Sequence, residues 1–128
     1  MSEKRPSSAN FTDLKAILDL KNPLRPKFHE FVKKKYAEET LDLYDAAVEY
    51  IKAPEDKHVE LGVALVERFC LDESPQAIDL PDGIKKRMNE AYANKKFEPD
   101  TMGPLRLLAL ERLHTNFFIQ FMNQMEKE

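Results

Sequence analysis

The sequence predicts an all-helical domain, and two observations carry that reading. Charged residues make up 34% of the 128 while glycine appears only 3 times, a balance that favours helices over turn-rich sheets. Apolar residues recur at steps of three and four along the chain, and the 8 prolines cluster where those stripes break. With 42% hydrophobic residues, a chain of this length can bury one core without a metal or a disulfide, so a single helical domain is expected over residues 11–126.

Residues 1–10, MSEKRPSSAN, are small and polar and read as a flexible arm lacking the apolar core of a signal peptide. Phe11, Leu14, Ile17 and Leu18 open the first stripe, with Asn10 or Thr12 able to cap its start. Residues 21–26 hold two prolines and form a connector. A helix over 25–36 then presents Phe28, Phe31 and Val32 on one face, with Tyr36 closing that face. A short corner follows. Glu38 and Glu39 open the next helix, where carboxylates complement the unpaired N–H groups of the first turn. Leu41, Tyr44, Val48 and Ile51 form its apolar face until Pro54 stops it.

Val59, Val63, Val66 and Cys70, with Leu65 and Phe69 beside them, give a helix over about 56–71. Gly62 inside that stripe costs about 1 kcal/mol relative to alanine, which reads as a place of close helix contact. Residues 71–81 are loop, and Ile84, Met88 and Ala91 mark the next helix. After a connector over 95–100, Thr101 is placed to cap a helix with Pro104 in its tolerant first turn and Leu105, Leu108, Ala109 and Leu113 inward. Phe118, Phe121, Met122 and Met125 form the last stripe.

Several function classes fall away. A formal charge of −3 supplies no general drive toward nucleic acid. The single Cys70 allows no internal disulfide, which fits a reducing compartment, and no apolar run approaches a membrane span. A cytoplasmic protein is expected, able to work at the inner face of the plasma membrane. His29, His58 and His114 lie on different helices without a ligand pair at metal spacing, and no phosphate loop or nucleophile elbow occurs. The neighbours Glu38 and Glu39, and Asp72 and Glu73, read as solvated helix ends or loop rather than an acid–base pair. Neither an enzyme active site nor a cofactor is expected. Lys33, Lys34 and Lys35, with Lys27 and Arg25, form a basic segment that is either a solvated helix surface or a weak peripheral contact with anionic lipid.

The stretch KFHEFVKKKYAEETLDLYDAAVEY, residues 27–50, joins F-x-x-F-V and a lysine run to Y-A-E-E-T-L and a helix ending in E-Y. In this it resembles the regulator of G-protein signalling (RGS) domain. The likeness continues through GVALVERFCLDESPQAIDL, where Ile78, Asp79 and Leu80 stand at the family's I-N-L tripeptide. It reaches RLHTNFFIQF, residues 112–121, which is similar to L-M-x-x-D-S-Y-x-R-F.

The resemblance implies a bundle of about nine short helices, with a four-helix subdomain and a second subdomain made by the chain ends. It also implies binding to the switch regions of a G-protein α subunit in its GTP or transition-state form, with faster GTP hydrolysis; a monomer is expected. Catalysis would reside in the partner, whose arginine acts in cis while the regulator holds the switches. The implied contact residues are Glu39, Thr40, Asp79, Leu80, Arg112, Asn116, Phe117 and Gln120.

Most of these contacts arrive changed. Thr40 keeps a hydroxyl where the family has a carboxamide, and Asp79 replaces a donor–acceptor group by an acceptor. Asn116 and Gln120 stand where the family has an aspartate–arginine pair at i, i+4, and an amide hydrogen bond of similar reach is expected between them. Charge-assisted hydrogen bonds contribute roughly 1.5–3 kcal/mol against about 1 for neutral ones. The resemblance therefore also admits an RGS-homology scaffold that keeps the bundle without activating a GTPase.

Overall fold

The computed structural model describes residues 11–127. The arm expected over 1–10 and the Asn10 cap lie outside the described residues, as does the side chain of Phe11. The helices are α1 (Phe11–Leu18), α2 (Arg25–Lys34), α3 (Glu38–Lys52), a 3-10 turn (Glu55–Lys57), α4 (His58–Phe69), α5 (Asp82–Asn94), α6 (Gly103–Leu113), a π turn (His114–Phe118) and α7 (Ile119–Lys127). Because α6, the π turn and α7 follow without a break, the described residues form six helices, where about nine were expected, and no strand. The all-helical class stands. Among these residues no helix is long and apolar enough to cross a membrane.

The chain divides into two compact units. One, Asp42–Ala109, holds most of α3, all of α4 and α5 and the start of α6, which is the four-helix subdomain the resemblance implied. The other is made by the chain ends, up to Leu41 and from Leu110 onward.

In the chain-end unit the apolar stripes do what their spacing dictates. Leu14, Ile17, Leu18, Phe28, Val32, Leu113, Phe118 and Phe121 are all buried. Phe28 meets Phe121 edge to face at 5.1 Å and Phe118 at 6.4 Å, the geometry that sets a ring's positive edge against a negative face. The turn between α1 and α2 is shaped by polar side chains. Asn22 accepts the Leu24 N–H at 2.8 Å and donates to the Ala16 carbonyl at 3.0 Å, while Arg25 donates to the Leu18 carbonyl at 2.9 Å. Arg25 is thus buried and tied to the end of α1, not part of a solvated basic segment.

Two apolar faces in the Asp42–Ala109 unit are rotated from expectation. In α3 the inward residues are Leu41 and Tyr44, as expected, together with Leu43, Ala47 and Tyr50, while Val48 is half-buried and Ile51 is exposed. In α4 they are His58, Gly62, Leu65, Val66 and Phe69, and Val59 is exposed. One ring pair accounts for both shifts: His58 stacks on Tyr50 at 4.4 Å and 17°, and the Tyr50 hydroxyl donates to the Glu98 carbonyl at 2.6 Å. Among the described residues neither His58 nitrogen has a hydrogen-bond partner, a cost of about 1–3 kcal/mol that the stack and surrounding burial offset. Thr101 does not cap α6 either; its hydroxyl accepts the Glu98 N–H at 2.8 Å and shapes the connector that holds Tyr50.

Gly62 does mark a close approach, but to a connector side chain rather than another helix. A Cβ there would fall inside the contact distance of the buried Phe97 ring. Gly62→Ala is therefore expected to lower stability by about 1–3 kcal/mol through overpacking, despite its better helix propensity. An unchanged or higher urea midpoint would show that Phe97 moves aside freely.

Cys70 is free and buried, and burial pushes its thiol from 9.0 up to about 12. The unfolded chain releases this proton first, so stability falls as pH rises from about 9 toward about 12. In Cys70→Ala the alkaline decline should be shallower by up to about 1.4 kcal/mol per pH unit. Chemical denaturation across that range checks this, and identical slopes would refute it.

Candidate functional site

The corner between α2 and α3 is built by a helix that ends sharply. The Lys35 N–H bonds to the Val32 carbonyl, the Tyr36 N–H to the Lys33 carbonyl and the Ala37 N–H back to the Val32 carbonyl. To make this turn Tyr36 adopts φ 60°, left-handed backbone that costs a non-glycine residue roughly 1–3 kcal/mol. Its ring, expected to close the apolar face of α2, instead stands 92% exposed. The helix has stopped and the chain has changed direction before Tyr36 can return to that face. Across the corner, His29 Nε2 lies 2.7 Å from Glu38 Oε2, joining α2 to the first residue of α3.

Beside this tip, Glu39 is half-buried. Thr40 is buried, and its N–H bonds to the Ala37 carbonyl at 3.1 Å, so it helps close the first turn of α3. Further along the same unit, Arg112 lies near the end of α6, Asn116 and Phe117 sit in the π turn, and Gln120 opens α7. Asn116 and Gln120 are exposed, while Arg112 and Phe117 are half-buried. No hydrogen bond joins Asn116 to Gln120 among the described residues. Asn116 lies within the π turn and Gln120 just beyond it, and both amides face solvent instead. Such turns within α-helices occur often at functional positions.

Asp79 and Leu80 belong to the Asp42–Ala109 unit, on the loop between α4 and α5. This loop is braced rather than free. The Ile78 N–H bonds to the Phe69 carbonyl at 2.9 Å and the Gln76 N–H to the Arg68 carbonyl at 3.1 Å. The Gln76 amide donates to Asp42 Oδ2 at 2.9 Å and accepts from Arg68 Nε, and Arg68 also lies 3.5 Å from Asp42. The Ser74 hydroxyl accepts the Leu71 N–H at 2.9 Å. Leu80 anchors the loop by burial, leaving the Asp79 carboxylate exposed.

Sequence reasoning missed Tyr36 and the Asp42, Arg68 and Gln76 brace. An aromatic directly after three lysines and before two glutamates was a usable sign of exposure for Tyr36; nothing in the spacing marks the brace. No group of three or more His, Cys, Asp or Glu among the described residues could hold a metal ion. The surfaces offer contact chemistry: a presented aromatic, carboxylates and amides on fixed backbone.

A family model described as the Regulator of G protein signaling domain matches residues 13–127. No curated protein matches the chain. With a family match over nearly the whole chain and the expected division into a four-helix unit and a unit of chain ends, the chain belongs to the regulator of G-protein signalling domain family.

Proposed function

We propose that this protein binds the switch regions of a G-protein α subunit and accelerates its GTP hydrolysis, acting as a monomer in the cytoplasm. The observation that carries the reading is the strained corner, which holds the Tyr36 ring in solvent next to Glu39 in a member of this family. A presented aromatic is a frequent binding anchor, because it contributes a large contact area through only two side-chain torsions. Glu39 and Asp79 supply acceptors, and Asn116 and Gln120 supply amides that both donate and accept. Arg112 and Phe117, half-buried, would border that contact, while Thr40 and Leu80 act from beneath by fixing the backbone on which Glu39 and Asp79 stand. The chain contributes no group to bond breaking; it lowers the barrier by favouring one arrangement of the partner's switches.

A second reading is favoured by Asp79 in particular. A carboxylate accepts but cannot donate, unlike the carboxamide the family has at this place, so the chain would bind an α subunit or another protein as a scaffold without activating it. The two readings separate on transition-state preference. An activator binds the GDP–aluminium fluoride form of the α subunit at least tenfold more tightly than the GDP form, a difference of about 1.4 kcal/mol, and speeds single-turnover hydrolysis by at least a similar factor. Equal affinity for the two forms with no acceleration would leave only the scaffold.

Within the activator reading, Tyr36→Ala and Asp79→Lys should each weaken α-subunit binding by roughly tenfold or more while leaving the thermal midpoint nearly unchanged. Calorimetric titration and thermal denaturation of the same samples check this. Loss of folding in parallel with binding would make these residues structural.

A further inference from the structure

Helices α2 and α7 leave an open groove of about 570 Å³ between them. Its floor is apolar. Phe121 is buried there, Phe31 and Met125 are half-buried, and the Phe31 and Phe121 rings meet edge to face at 5.6 Å. The α2 wall carries Lys27, Lys34 and Lys35, all exposed, with the Lys35 ammonium 5.3 Å from the centre of the Phe31 ring. Glu30 is the one carboxylate among the described residues that line the groove, and the α7 wall adds the uncharged Gln124. Among the described residues none of the three lysines has an ion-pair partner.

Shape and spacing decide what such a groove accepts. A flat bilayer surface meets a convex face and does not reach a concave floor. Lys27 and Lys34 are two turns apart on one helix, about 10.5 Å along its axis, with Phe31 on the same side between them. Cations therefore stand toward both ends of an apolar floor. A single-chain amphiphile carries its charge at one end and would leave the other end unanswered. A helix presents carboxylates two turns apart with apolar side chains between them, matching both the charge and the period.

The geometry points to this groove as the docking site for an acidic amphipathic helix of a partner protein, laid along α2. Its apolar anchors enter the floor over Phe31, Phe121 and Met125, and its carboxylates face Lys27 at one end and Lys34 and Lys35 at the other. Charge complementarity fixes the register, and burial of the anchors supplies most of the attraction. The site stands on its own chemistry and does not depend on α-subunit binding.

The probe is a capped, fluorescein-labelled synthetic helix of about four turns, with leucines at i, i+4 and i+7 and glutamates at i+1 and i+8, titrated against the full chain by anisotropy. The native chain should bind it at least about tenfold more tightly than the same helix carrying lysines in place of glutamates. The double variant Lys34→Glu with Lys35→Glu should reverse that preference, and Met125→Glu should weaken both helices. Both substitutions lie on exposed or half-buried positions, and the charge reversal provides a gain of binding that misfolding cannot imitate. Equal binding of the two helices to the native chain, or a preference the double variant leaves intact, would overturn the proposal. So would failure of the glutamate helix to bind while phosphatidylserine vesicles sediment the chain in a Lys34- and Lys35-dependent manner, which would make the groove a lipid contact.

Discussion

The chain-end unit depends on the Phe28 ring. It is fully buried and sits edge-on to both Phe118 and Phe121, residues separated from it in sequence by the whole Asp42–Ala109 unit. Closing so long a stretch of chain costs entropy that grows only slowly with length, so a few well-packed rings can offset it. Each aromatic pair contributes about 0.5–1.5 kcal/mol beyond simple burial. That cluster fixes α2 against the end of the chain, and α2 in turn carries the start of the corner and the cationic wall of the groove. Removing the Phe28 ring would unseat a structural member and a binding surface together.

Much of this was legible in the sequence. Stripes with strong apolar contrast were read correctly: Leu14, Ile17 and Leu18, then Phe28 and Val32, then Phe118 and Phe121, are all in the core. The two rotated faces share one cause. A periodicity argument ranks valine and isoleucine as inward and histidine as outward, so it chose Val59 and Ile51 over His58. The structure reverses that order because His58 has a flat ring to stack on Tyr50, whose hydroxyl is held by a carbonyl 48 residues away. A contact of that range has no local signature.

The candidate site was legible to a different degree at each position. Asp79, Asn116 and Gln120 are exposed polar residues on a loop, a π turn and the first turn of a helix, as their chemistry implied. Thr40 and Leu80 could not be separated from them by sequence, because a small hydroxyl and a loop leucine are tolerated in either environment. The π turn was invisible for a plainer reason: HTNFF contains neither glycine nor proline, and nothing in its side chains distinguishes an i→i+5 turn from an ordinary one. Tyr36 failed for the opposite reason. Its spacing from Val32 is that of a core residue, and only the left-handed backbone at that position turns it outward.

That left-handed residue is also where the corner and the groove could communicate. Lys34 and Lys35 belong to the groove wall, and Tyr36 is the next residue in the chain. An occupant that left the corner in place would change nothing at Tyr36 or Glu39 however tightly it bound, because coupling requires a difference in affinity between two states of the protein. The two states need not involve the core. Phe28 and Val32 are locked by burial, whereas Tyr36 is held in strained backbone with its ring in water and no packing to oppose rearrangement. Two restraints span this soft point: the Ala37 N–H bond to the Val32 carbonyl and the His29 to Glu38 contact, which is partly exposed on both sides. Coupling, where it occurs, would therefore lodge in the few residues between Lys34 and Glu39. Linkage would make it reciprocal: a helix in the groove that weakened or tightened α-subunit binding would have its own affinity shifted by the same factor when the α subunit was present.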